Sequence, residues 1–216
     1  MMWSWSYVQE ILPTLLRGLL VTVEATVLGY ALALVLGLAI AVLRHSAGRV
    51  TGQVLRWAVE FVRSTPLLVQ LFFLFYVLPG FGITLGALAT GVIGLGVHYA
   101  TYTSEVYRSG IESVPRGQWE AATALSLPSR RVWTGVVLPQ AVPKVIPALG
   151  NYVIAMFKDT PLLLGITVLE MLGSAYKAGS ESYRMLEPVT LVGLLFVAVS
   201  VLAGLLVRRL ERRYGN

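Results

Sequence analysis

Three short polar stretches and one lone acid stand where the surrounding chain is too apolar to solvate them. Lys158-Asp159-Thr160-Pro161 falls inside the apolar run 145–169, and Ser64-Thr65-Pro66 with Gln70 opens another such run. His98, Tyr99 and Tyr102 lie in the run 84–104, and Glu24 is the only charge in the run 18–43. A charge at mid-bilayer costs at least about 2.5–3.5 kcal/mol, so such groups are expected to face a cavity or a partner. Pro161 has no N–H and clashes with the Phe157 carbonyl in a regular helix. The backbone acceptors this frees are tolerable at membrane depth only where protein or a watery cavity covers them. Two Thr-Pro breaks in different spans, at Thr65 and Thr160, can converge on one site near the midplane. Lys158, Asp159, Thr160, Thr65, Gln70, Glu24, His98 and Tyr102 are therefore the candidates for lining a solute pathway. The competing readings are structural: a kink held by a salt bridge at Lys158-Asp159, an ion pair within the bundle for Glu24, and a packed, hydrogen-bonded histidine at 98. No second histidine or thiolate stands at ligand spacing, so a metal site is not expected.

The elements that must position these residues read as membrane helices. The chain has 216 residues, 56% of them hydrophobic and only 13% charged. Soluble domains carry about 25% charge, so lipid is the expected solvent. The absence of cysteine excludes disulfides and thiolate sites. The net charge is +6, but the basic residues sit at the ends of apolar runs, which points to membrane topology and not to nucleic acid. A crossing helix needs about 20 apolar residues. On that measure five spans are expected, over 18–43, 57–78, 84–104, 145–169 and 188–207, in a single transmembrane domain covering 1–216. The first run is too long for a signal peptide and is expected to be retained.

Thirteen of the 17 Lys and Arg residues gather on one side: Arg44, Arg49, Arg56 and Arg63, then Arg108, Arg116, Arg130, Arg131 and Lys144, then Arg208, Arg209, Arg212 and Arg213. The positive-inside rule puts that side and the C-terminus in the cytoplasm and the N-terminus outside. Small residues at Ala25, Gly29, Ala33, Gly37 and Ala41 form a four-residue ladder on the first span, and Ala87, Gly91, Gly96 and Ala100 repeat it on the third. Such ladders let helices approach closely in lipid. Packing within one subunit is the first reading and a subunit–subunit face the second. Glu60 with Arg63, and Glu105 with Arg108, are spaced as helical ion pairs.

The one long polar interruption, 113–139, reads as a water-facing helix-turn-helix. Ser113 and Pro115 are expected to start the first helix, Pro128 to break it, and Ser129 to cap the second. Trp119, Leu125, Val132 and Trp133 would be its apolar contacts. An amphipathic loop lying on the headgroups is the alternative.

At this point the chain resembles a known family. Glu120-Ala121-Ala122, then Ser126 where glycine is usual, then Leu127-Pro128 and Leu138-Pro139, are similar to the cytoplasmic motif of permease subunits of bacterial ABC importers. Arg63 to Gln70, Ile146-Pro147-Ala148-Leu149-Gly150-Asn151 and Lys158 to Leu162 resemble the polar amino-acid branch. His98 to Glu105 and Gly179-Ser180-Glu181-Ser182-Tyr183 look most like ectoine and hydroxyectoine permeases. The resemblance implies an all-α membrane protein with the type I ABC importer permease fold, multi-pass in the bacterial cell membrane. It implies alternating access for a small zwitterionic solute, ectoine type first and polar amino acid second. Asp159 and Thr160 would then meet the ammonium or carboxylate end of that zwitterion. The implied partners are a cytoplasmic dimer of ATP-binding subunits, a second permease, identical or not, an extracytoplasmic solute-binding protein and membrane lipid. Gln118, Trp119, Glu120, Ala121, Ala122, Leu125, Ser126 and Pro128 would couple to the ATPase. ATP and Mg would bind in that partner, because this chain has no phosphate cradle of the Gly-x-x-x-x-Gly-Lys-Ser/Thr type. Gly-x-Ser-x-Gly and His-Glu-x-x-His are also missing, which disfavours an intramembrane enzyme using Asp159, Glu105 or His98. Nothing resembles the selectivity filter of a channel.

Overall fold

The computed structural model describes residues 3–46 and 48–214, and among these there are helices and no strand. Helix α1 (Trp5–Ser46) has 42 residues, about 63 Å at 1.5 Å per residue. It is followed by α2 (Arg49–Ser64), α3 (Leu67–Phe72, prolonged by wider and tighter turns to Phe81) and α4 (Ala87–Glu112). The short pair α5 (Arg116–Ala124) and α6 (Ser129–Val132) leads into α7 (Leu138–Asp159), a 3-10 segment Thr160–Ile166, α8 (Met171–Ser182) and α9 (Leu186–Tyr214).

The helices Trp5–Ser46, Ser129–Ile166 and Leu186–Arg213 are long and apolar enough to cross a membrane. Arg49–Ser64 and Leu67–Phe81 reach that standard only together, and they are bent by 99° at the break between them. The expectation of one continuous span over 57–78 therefore fails. Pro66 removes the N–H that Val62 O would accept, and α2 leaves at nearly a right angle to α3. Helix α4 has 26 residues yet does not reach the same apolarity. It packs along α1 on one side and α7 on the other.

The small-residue ladders explain that packing. Ala25, Gly29, Ala33, Gly37 and Ala41 are all buried. A Cβ on Gly37 would lie 2.0 Å from Thr103 Oγ1 and 3.0 Å from both Ala100 O and Ser104 N. On α4, Gly91 lies against Leu163 and Gly96 against Leu32. The ladders are thus spent inside the chain, where close backbone contact replaces the hydrophobic drive that lipid removes. A central cluster of Ala25, Ala33, Leu71, Leu95, Tyr99, Met156, Leu163 and Ile166 joins α1, α3, α4 and α7. A second cluster of Ile11, Leu15, Met171, Ala175 and Val192 ties α8 and α9 to the start of α1.

Candidate functional site

The bend at Pro66 is capped by its own side chains. Thr65 Oγ donates to Phe61 O at 2.8 Å. The Gln70 amide donates to Val62 O at 2.7 Å and Thr65 O at 2.9 Å. With its nitrogen committed, Gln70 presents Oε1 to His98 Nδ1 at 3.2 Å, so that ring nitrogen carries the proton. His98 is 8% exposed. Thr65, Gln70 and His98 thus form a frame that fixes where α3 leaves α2 and meets α4.

Next to the frame lies a tyrosine cluster. Tyr99 OH donates to Asp159 Oδ2 at 2.6 Å. The Tyr99 and Tyr102 ring centroids are 5.9 Å apart, and Tyr102 stands 5.5 Å from Tyr152 of α7. Below them opens a cavity of about 340 Å³ whose walls include Tyr102, Tyr152, Arg63, Glu105, Arg108 and Lys144. Arg63 Cζ sits 5.1 Å from the Tyr102 ring centroid. Asp159 holds its place because α7 ends there: Thr160 begins the 3-10 segment, and its buried Oγ donates to Phe157 O at 2.8 Å. The helix stops before Pro161 and so avoids the clash expected at that carbonyl.

At the far end of α4, Glu105 accepts from Arg44 of α1 and from Arg108 at 2.8 Å, and Arg108 also reaches Glu112 at 2.6 Å. Partial burial pushes the Glu105 carboxyl up, but its hydrogen bonds and charge contacts with Arg44 and Arg108 outweigh that and hold it below the usual carboxylate range.

The structure brings the His98 and Tyr102 ring centroids to 5.3 Å, sets Tyr99 between that pair and Asp159, and uses Thr65, Gln70 and Thr160 to bond backbone carbonyls at the two helix breaks. Glu24 and Lys158 are exposed on the chain surface, and no ion pair joins either to a described residue. The Lys158-Asp159 salt bridge is absent, because adjacent helical positions point about 100° apart and Asp159 is taken by Tyr99. The Glu60–Arg63 pair is also absent among the described residues, and Arg63 stacks on Tyr102 instead. Tyr99 stands beside His98 in the sequence reading but is not among its candidates, and Tyr152 and Arg63 are not candidates either. The Tyr99–Tyr102 spacing of three was available as a signal, whereas Tyr152 and Arg63 arrive from other helices.

The polar interruption forms the expected hairpin with different caps. Ser113 Oγ donates to Gly110 O at 2.7 Å and so finishes α4, while Pro115 precedes α5. Ser129 is the first residue of α6 and not its cap. Ser126 has φ 51°, and the bonds Ser126 N–H to Thr123 O (2.9 Å) and Leu127 N–H to Ala122 O (3.1 Å) close the end of α5 as a Schellman turn. Trp119 and Trp133 meet edge to face at 5.7 Å, and with Val132 they cover Val114, Val137 and Ala141. Ala122 is buried, Gln118, Glu120, Ala121 and Pro128 are exposed, and Leu125 is 72% exposed.

A bundle of long apolar helices with buried polar contacts between them and a polar helical hairpin in one connection is the architecture expected of a membrane transport subunit. Residues 33–216 match the family described as binding-protein-dependent transport system inner membrane component, and the chain belongs to that family. It is 47% identical, over 92% of its length and 86% of the other's, to the probable amino-acid ABC transporter permease protein y4tG of Sinorhizobium fredii. It is 34% identical to the L-cystine transport system permease protein TcyB of Bacillus subtilis, over 96% and 92% of the two chains. Identity to the glutamine transport system permease protein GlnP of Escherichia coli is 30%, over 99% and 98%. Among solved structures, an amino acid ABC transporter crystallised with histidines superposes with a TM-score of 0.93 at 30% identity, covering 99% of this chain and 100% of that one. The inward-facing MetNI methionine transporter shares the fold, with a TM-score of 0.79 at 21% identity over 93% and 96%. The chain is thus a multi-pass permease subunit of the inner membrane with the type I ABC importer fold. It is not an enzyme and binds no cofactor: ATP and Mg act in a separate ATPase dimer. That dimer, a second permease and a substrate-binding protein are its partners.

Proposed function

We propose that this chain carries a polar amino acid through the passage at Asp159, entering from outside and leaving by the cavity beneath Tyr102 and Tyr152. The observation that carries the reading is the Asp159 carboxylate, held at 2.6 Å by Tyr99, whose ring is 5.9 Å from Tyr102 in the wall of a cavity of about 340 Å³. A carboxylate set among aromatic faces suits the ammonium end of an amino acid. The amino-acid names of the relatives support this cargo. They turn the preference away from ectoine, which the runs His98 to Glu105 and Gly179 to Tyr183 had favoured. Asp159, Tyr102 and His98 line the route, Thr65, Gln70 and Thr160 hold its frame, and Glu24 and Lys158 lie outside it.

Five spans are proposed, the second being the pair broken by 99° at Pro66, with the N-terminus outside and the C-terminus cytoplasmic. The 26 residues of α4 give about 39 Å, enough for a crossing, and protein on both sides lowers its need for apolar surface. The exposed side chains of Gln118, Glu120, Ala121, Leu125 and Pro128 would dock on the ATPase, with the Trp119–Trp133 contact and the Ser126 turn keeping the hairpin rigid. In the assembled complex in proteoliposomes, loaded with its cognate binding protein, L-glutamine, L-cystine and L-arginine are expected to be taken up in preference to ectoine. Uptake of ectoine alone would refute the amino-acid reading. Uptake unchanged in Asp159→Asn would refute the passage.

A further inference from the structure

Arg63 is the one arginine of the α2 end whose charge stands against an aromatic ring and not a carboxylate. Its guanidinium lies 5.1 Å from the Tyr102 centroid, and its side chain lines both the 340 Å³ cavity below the tyrosines and an adjoining cavity of about 420 Å³. Glu105, the carboxylate that lines both cavities, is already engaged by Arg44 and Arg108, and Glu112 of the second by Arg108. The other cation of the first cavity, Lys144, donates to Ser113 O at 3.1 Å. The first cavity holds Arg63, Arg108 and Lys144 against Glu105 alone, a balance that draws anionic groups. A planar guanidinium with no carboxylate of its own is well made to take one from a ligand by two parallel hydrogen bonds.

Resting on the amino-acid reading above, we propose that Arg63 receives the cargo's carboxylate on the exit side of the tyrosine cluster, while Asp159 receives its ammonium. Asp159 meets Tyr99 and Arg63 meets Tyr102, so the cargo's ammonium and carboxylate are held in turn along the tyrosine pair, and a solute lacking either group loses one hold. Arg63 also sits two residues before Thr65 and the 99° bend. Any swing of α2 about that bend moves the guanidinium relative to Tyr102, which lets the same residue hold the cargo and then withdraw. Because amino acids and ectoine both carry a carboxylate, this role does not depend on which zwitterion is moved.

The test uses the full complex in proteoliposomes with its binding protein, and reads solute moved and ATP hydrolysed in the same vesicles. The probes are labelled L-glutamine, L-cystine, L-arginine and ectoine. In Arg63→Gln the solute moved per ATP is expected to fall about tenfold, which corresponds to about 1.4 kcal/mol. The half-saturating concentration should stay constant, since the binding protein sets it, and Arg63→Lys should recover part of the loss. Arg56→Gln, which removes the same charge about two turns earlier on α2 and away from the first cavity, should keep the wild-type ratio. A ratio within twofold of wild type in Arg63→Gln overturns the proposal. So does a parallel loss of uptake and ATP hydrolysis, which marks a structural role, or an equal fall in Arg56→Gln, which marks a diffuse charge effect. A wild-type complex that moves none of the four probes refutes the cargo reading itself and the proposal with it.

Discussion

Replacing Gln70 by leucine separates a framing role from a pathway role, because the two predict different readouts. Residue 66 is proline, so Val62 O has no N–H four residues on and keeps only a long bond from Thr65 N–H at 3.3 Å, to which the Gln70 amide adds a shorter one at 2.7 Å. The same nitrogen serves Thr65 O at 2.9 Å. Leucine has nearly the same size and offers neither bond. Two neutral hydrogen bonds at about 0.5–1.5 kcal/mol each put the loss near 2 kcal/mol, before His98 Nδ1 is counted as a third stranded group. At about 2–4 °C per kcal/mol for a chain of this length, the complex should melt about 4–8 °C lower. Because the bend orients α2 as a whole, uptake and ATP hydrolysis should fall together. A thermal shift assay on the purified complex, paired with vesicle uptake, reads both. Gln70→Leu with an unchanged melting temperature and a selective loss of uptake would refute the framing argument and return Gln70 to the pathway.

Gly37→Val should destabilise by at least about 1–3 kcal/mol, since its Cβ would strike Thr103 Oγ1 and the backbone of Ala100 and Ser104. Gly117→Val, with nothing within 4 Å, should leave the melting temperature unmoved. Ser126→Gly should stabilise the α5–α6 turn by about 1 kcal/mol, since a left-handed φ strains every residue but glycine; hydrogen exchange at Leu127 would show added protection. Leu125→Glu should abolish co-purification of the ATPase subunits while the permease keeps its melting temperature, and retained binding would count against docking through this hairpin. The Glu105 carboxyl is held below its unfolded value of about 4.3, so its contribution to stability is present above that pH and is lost as pH falls through the lower folded value. Melting temperatures measured from pH 6 to pH 3 should therefore drop more steeply in wild type than in Glu105→Gln.

What could be read from the chain followed from local rules. The ladders of small residues predicted close helix contacts, because a spacing of four puts residues on one face wherever the chain is helical. The Thr-Pro breaks were legible because proline's missing N–H is a property of the residue, and both breaks occur where expected. What the sequence did not reveal was tertiary. Arg63 has a carboxylate three residues away at Glu60, the spacing of a helical pair, yet an aromatic ring from another helix takes it. Glu170 and Glu187 read as ordinary loop acids in sequence, yet they are 0% and 1% exposed. Glu170 caps α8 through Leu172 and Gly173 N–H and accepts from Thr22, 148 residues away. Glu187 accepts from Ser4 N–H at 3.0 Å across 183 residues and pairs with Arg184. The local partners Leu172, Gly173 and Arg184 lie within a turn, but no window of sequence contains Thr22 or Ser4.

The position of α4 joins these points. It carries His98, Tyr99, Tyr102 and Glu105, which touch the frame, the Asp159 carboxylate, the tyrosine passage and the ion network in turn. A helix assigned that many polar contacts cannot also be strongly apolar, so it falls short of the apolarity that α1 and α9 reach. The deficit is tolerable because α1 and α7 cover it, and α1 approaches closely enough to do so only through Gly29, Ala33 and Gly37. The small-residue ladder therefore serves the proposed transport indirectly: it permits a polar helix inside the bilayer, and that helix would supply the wall of the proposed passage. Bulk introduced at Gly37 should on this reasoning damage uptake through α4 even in variants whose Asp159, Tyr102 and Arg63 are intact.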